Sequence, residues 1–224
     1  MNQENTERNN SLSVVLEETG EEISATMYNA IVGGMLVYGL GVSFFLGSVA
    51  TSFAMSINPI VMLIGYVACA FAGIAMVHMG NTLMAFIGYN FIVLPLGVML
   101  SLVLPAYGVA DVNTAILLTW VVSIVMMGAS MVFPQFFARL GSALFVSLIG
   151  LLVADIVCGL IFRTDITFIN LIACGIFALY IGYDWYWAFN QRRTAKNAIL
   201  SAINLFLDII NLFLRILRLL GKRD

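Results

Sequence analysis

The chain has 224 residues, of which 62% are hydrophobic and only 10% charged, with a formal net charge of -2 and a mean hydropathy of +1.02. A water-soluble domain carries about 25% charged residues, so this composition excludes one and indicates an integral membrane protein. No basic patch suggests nucleic acid, and the net charge says little about partners, because half of the acids lie in one tail and most bases near the other end.

In chain order, residues 1–26 are polar and acidic and read as a flexible tail, with at most a short helix over LSVVLEE. Glu17, Glu18, Glu21 and Glu22 stand just before the first apolar run, the wrong charge for a secretory signal peptide, so the first span is expected to stay in the mature protein. Long apolar runs follow and predict helices over 27–50, 59–78, 82–104, 112–133, 140–162 and 166–187, each near the roughly twenty residues a bilayer requires. The breaks between them are short and carry turn residues: Ser56, Asn58 and Pro59; Gly80 and Asn81; 105–113; 134–141; and 163–165. Such tight connections predict antiparallel neighbours, with residues 27–224 forming one seven-helix transmembrane domain and no soluble domain large enough for an active site. Cys69, Cys158 and Cys174 lie inside apolar runs without CxxC spacing and are read as packing residues, not a disulfide framework or zinc site.

With the amino terminus inside, the cytoplasmic connections receive Arg8, Arg139, Arg192, Arg193 and Lys196, whereas the opposite connections among the first six spans hold only Arg163. The excess of positive charge favours that orientation. A crossing seventh segment would then leave the basic carboxyl end outside, and a re-entrant one would return it inside.

The seventh segment, 197–221, has the length of a spanning helix yet carries Asn197, Ser201, Asn204, Asp208, Asn211, Arg215 and Arg218 at one helical spacing, which Lys222 continues. These fall on an arc of about 100°, with Leu, Ile and Phe over nearly all the remaining surface. A carboxylate at bilayer depth costs on the order of 3 kcal/mol, so the stripe is expected to face other helices or a water-filled path. The C-terminal helix is therefore predicted at the centre of the bundle. Snorkelling of long cationic side chains explains the arginines near the helix end, but not Asp208, which is short and far from either end. Asp184 lies among Tyr183, Trp185, Tyr186 and Trp187, an aromatic belt at the end of the sixth span where a carboxylate is tolerated. In an antiparallel hairpin the two aspartates lie on opposite arms of a turn near 190–196. A sixth helix running further toward the turn would bring them to similar depth.

The core LFLDIINLFLRILRLLG, with YIGYD before it, resembles the carboxyl-terminal signature of the Bax inhibitor family, the transmembrane Bax-inhibitor-motif proteins. The likeness continues through GSALFVSLIGLLVADI and FIGYNFIVLPLGVMLSLVLPAYG, while the first two spans match only in being apolar. The resemblance implies seven helices with the last surrounded by the other six, and an aspartate pair acting as a pH-sensitive latch on a calcium leak pathway. The matching positions are Asp184 and Asp208. Some bacterial relatives carry an arginine-rich turn after the second span; this chain has His78, Met79, Gly80 and Asn81 there. His78 is read either as a substitute titrating residue on the pathway or as an interfacial histidine. Asp155, deep in the fifth span, lies outside the recognised signature and either lines the path or pairs with a neighbouring hydroxyl or backbone group.

Two carboxylates in a low-dielectric site titrate as a coupled unit, holding their helices together through a shared proton and repelling or binding a cation without it. Calcium takes hard oxygen ligands in irregular geometry, with Asn204 and Asn211 as extra carbonyl donors beside Asp184 and Asp208, and Arg215 further along the path. The expectation is a pH-gated calcium leak in the bilayer, with Ca2+ as transported ion, protons as the signal, no tightly bound cofactor and no enzymatic activity. A second expectation is a membrane-embedded regulator that binds a quality-control protease or a cell-death factor without moving ions. An intramembrane aspartyl protease is disfavoured because neither YIGYD nor LFLDIIN provides a GxGD-type loop, and no internal repeat suggests a coupled transporter. Short connections and sparse charge are read as a bacterial cytoplasmic membrane rather than an organellar one.

Overall fold

In the computed structural model the described residues are 21–79, 81–161 and 167–221. Among them are seven helices long and apolar enough to cross a bilayer. These are α1 (Ala25–Val49), α2 (Pro59–Met79), α3 (Thr82–Val103), α4 (Val109–Val132), α5 (Gly141–Ala154), α6 (Thr167–Asn190) and α7 (Ala195–Leu220). The chain is an all-α membrane protein. Short helices Thr51–Met55 and Pro134–Ala138 fill two connections, and α5 runs on as a π-helix over Asp155–Ile161. The expected helix over LSVVLEE and the turn at 163–165 lie outside the described residues.

Turn residues set the helix starts by accepting backbone N–H groups that have no partner within the helix. The Ser24 hydroxyl accepts from Met27 N at 3.2 Å, Asn81 Oδ1 from Met84 N at 3.1 Å, and Thr194 Oγ1 from Asn197 N at 3.1 Å. The expected tail is not free up to residue 26. Ile23 N donates to Arg193 O at 2.8 Å, Glu22 forms an isolated β-bridge with Thr194, and Arg192 Nε meets Glu22 Oε1 at 3.1 Å.

The chain divides into two compact units, both of which include part of α7. The first holds α1, α2, α3 and Gln191–Ile203. Here α2 and α3 approach at Gly73 and Gly88, where a Cβ on either would lie 2.5 Å from the other's carbonyl oxygen. Small residues let helix backbones meet this closely in a membrane. Interhelical polar bonds add to the packing: Tyr89 Oη donates to Met35 O at 2.7 Å, Ser43 Oγ to Val93 O at 3.1 Å, and Tyr38 Oη to Asn90 Oδ1 at 2.6 Å. The start of α7 is fixed in the same unit by Gln191, whose amide donates to Tyr28 Oη at 2.9 Å and to Ser201 Oγ. In the second unit, Val103–Asn190 with α7 from Asn204 onward, α6 packs along α4 and against α5 and the helix Pro134–Ala138.

The apolar window of α7 is 61% buried, against 11–44% for the other six. It is the most enclosed span, as its polar stripe demands. Being one unbroken helix of 26 residues, about 39 Å long, it has the form of a crossing segment rather than a re-entrant one.

Candidate functional site

The candidate site lies in the second unit, on α6 and α7. The sixth helix ends at Asn190 rather than at the expected 187, which moves Asp184 inward from the helix end by about one turn. Its carboxyl is half-buried and stands beside that of Asp208, near enough for the two to share a hydrogen bond. Two ionised carboxylates are both acceptors, so such a bond requires a proton held between them. Asp208 is 9% exposed, and its Oδ2 is buried with no hydrogen-bond partner among the described residues. A carboxyl oxygen buried in this way is costly to leave unpaired, and the neighbouring Asp184 carboxyl can satisfy it only through a shared proton.

The other stripe residues divide by environment. Asn204 is exposed although Ile203 and Leu205 on either side are buried. Four residues ahead of Asp208, it shares that residue's helical face. Asn211 is half-buried, and its amide donates to Leu207 O of its own helix at 2.9 Å. Asn197 donates to Arg192 O at 2.8 Å and so serves the turn. Among the described residues no three His, Cys, Asp or Glu side chains converge, so a cation at this site would meet two carboxylates and neutral oxygens.

Arg215 does not snorkel. It is 8% exposed, and its guanidinium grips Asp155 with both terminal nitrogens, Nη1 reaching Oδ1 at 2.9 Å and Nη2 reaching Oδ2. Nη1 also donates to Asn170 Oδ1 on α6 at 3.0 Å. Asp155 thus pairs with a cation rather than with a hydroxyl or backbone group, and it sits where α5 passes into the π-helix. A widened turn of this kind is common at functional positions. Neither this pair nor the part of Asn170 was legible in the sequence; the available signal was an Asp inside one apolar run and an Arg short of the end of another.

His78 belongs to the first unit. It is exposed near the end of α2, with Nδ1 2.8 Å from Ile74 O, and its backbone carbonyl accepts from Lys196 Nζ at 3.1 Å. Its ring is thus engaged with its own helix.

The family model described as inhibitor of apoptosis-promoting Bax1 matches residues 22–224. The chain belongs to the Bax inhibitor family. No curated protein matches it. The match takes in all seven spans, including the first two, which the quoted motifs left out. Asp155 and Arg215 both lie within the matched residues.

Proposed function

We propose that this Bax inhibitor family protein is a passive, pH-sensitive cation leak with calcium as its cargo, in which Asp184 and Asp208 are sensor and gate. The observation that carries the reading is the pair of neighbouring carboxyls on α6 and α7, with Asp208 buried in an apolar span. A shared proton ties α6 to α7; its removal leaves two like charges that separate or take up a cation. Calcium suits the donor set, because it accepts carboxylate and amide oxygens in irregular geometry, and so few acids give weak binding that fits passage better than storage. The exposed Asn204 supplies a polar approach to Asp208 along the same face. A bacterial cytoplasmic membrane is the proposed residence.

The test is calcium flux into proteoliposomes over a range of pH for the wild type, Asp184→Asn and Asp208→Asn. Both substitutions keep the size of the side chain and remove its charge, and both are expected to flatten the pH response. Unchanged flux and unchanged pH response in both variants would overturn the proposal. Absence of flux in the purified wild type, with a membrane protein recovered in pull-downs, would favour a regulator acting through partners.

A further inference from the structure

The ion pair further along α7 is unlike an ordinary structural bridge in three respects. Arg215 follows Asp208 by seven residues and therefore lies on the same face of the helix, about 10 Å further along its axis. Its carboxylate partner is the more open member, the side chains of Arg215 and Asp155 being 10% and 24% exposed. The guanidinium is held by acceptors from two other helical segments, Asp155 where the π-helix begins and Asn170 on α6. Arg218, half-buried one turn beyond, adds a second positive charge to this part of the face.

An uncompensated guanidinium beside a cation path repels whatever approaches Asp208 from that end. In a medium of low effective dielectric the repulsion of a divalent ion over about 10 Å suffices to change its local concentration by well over tenfold. A bidentate carboxylate cancels that charge at its source.

We propose that Asp155 is a specificity-determining residue of the pathway: by neutralising Arg215 it keeps the polar face of α7 open to cations and weakens its attraction for anions. This rests on the cation-leak reading of the aspartate pair and adds to it a second station, made from different residues, that sets charge preference and not proton response. Removing Asp155 leaves two uncompensated guanidiniums, Arg215 and Arg218, where the wild type has only Arg218, and so disfavours calcium and favours halide. Removing Arg215 leaves Asp155 as an extra anionic station, which calcium tolerates. Because the two halves of the pair have opposite charge, their loss has opposite consequences, an asymmetry that a purely structural bridge does not produce.

The experiment measures calcium entry and chloride entry in parallel in proteoliposomes for the wild type, Asp155→Asn, Arg215→Gln, the double variant and Asp155→Glu, with elution profile and thermal melting recorded for each. Asp155→Asn is expected to lower calcium entry by at least about tenfold and to raise chloride entry. Arg215→Gln is expected to keep or increase calcium entry, and the double variant and Asp155→Glu to return it to within about twofold of wild type. Equal losses of calcium entry in the two single variants, with chloride entry unmoved, would overturn the inference while leaving the aspartate gate standing. Should Asp155→Asn fail to fold, loss of calcium entry in a folded Arg215→Gln protein overturns it equally. Absence of calcium entry in the wild type would overturn both readings together.

Discussion

Asp208 was legible because an acid in the middle of an apolar helix has few ways to exist, and each requires enclosure and a partner. Its partner Asp184 was harder to place, since aromatic neighbours at a span end account for a carboxylate equally well; the extension of α6 to Asn190 sets it six residues inside the helix end. Arg215 shows the opposite failure. A long cation five residues from the end of α7 satisfies the snorkelling argument completely, so the sequence offers no reason to look for Asp155, sixty positions away in the chain. The distinction between charge and shape at Asp208 can be measured. Asp208→Asn supplies an amide donor to Asp184 and preserves the contact between α6 and α7, so melting is expected to stay close to wild type while the pH dependence of calcium flux flattens to less than about twofold across the range. Asp208→Ala leaves Asp184 without that partner and is expected to cost about 1–3 kcal/mol, read as a lower melting temperature in detergent. Equal melting of the two variants would show that the carboxyl contact contributes nothing to holding the helices.

At the scale of elements, the apolar runs marked six helices to within a few residues, because length and hydropathy dominate in a membrane and turn residues cap the ends. The exception is the fifth span, expected as one helix over 140–162 and found as α5 followed by a π-helix; hydropathy is blind to the winding of the backbone. Close approaches between helices were equally hidden, since Gly73 and Gly88 look like any glycines in an apolar run. Their packing predicts that Gly88→Val, which places a Cβ 2.5 Å from Gly73 O and within 2.9 Å of Val77, destabilises the protein by about 1–3 kcal/mol through separation of α2 and α3. Gly128→Val on α4, where nothing lies within 4 Å of a Cβ, is the control expected to melt like wild type. The cap at the start of α7 gives a second test of the same kind: Thr194→Ala removes the acceptor for Asn197 N and is expected to cost about 1 kcal/mol, whereas Thr194→Ser retains it. If alanine and serine melt alike, the hydroxyl does not cap the helix.

For the whole molecule, the sequence left one question open that bears on every ion route: whether the seventh segment crosses or turns back. The unbroken α7 of 26 residues favours crossing, because a re-entrant segment breaks its backbone hydrogen bonding at depth and must satisfy the freed groups elsewhere. With seven crossings and the amino terminus inside, successive connections alternate sides. The connection holding Ser56 then faces outward, whereas those holding Arg139 and Arg193 face the cytoplasm, where their positive charge is expected. All three residues are exposed, so single cysteines at these positions report the side directly. In a background with Cys69, Cys158 and Cys174 replaced, Ser56→Cys is expected to react with a membrane-impermeant maleimide on intact cells, and Arg139→Cys and Arg193→Cys only after permeabilisation. Labelling of Ser56→Cys and Arg193→Cys from the same side would overturn the alternation. The outcome also orients the pathway: Arg193 lies in the turn before α7, so the side on which it labels is the side nearer Asn204 along that helix, and the Asp155–Arg215 station then faces the opposite compartment. On the proposed cation-leak reading, a calcium ion entering from outside would meet the Asp155–Arg215 pair before the aspartate pair, so the charge preference tested with Asp155→Asn would act irrespective of the protonation of Asp184 and Asp208.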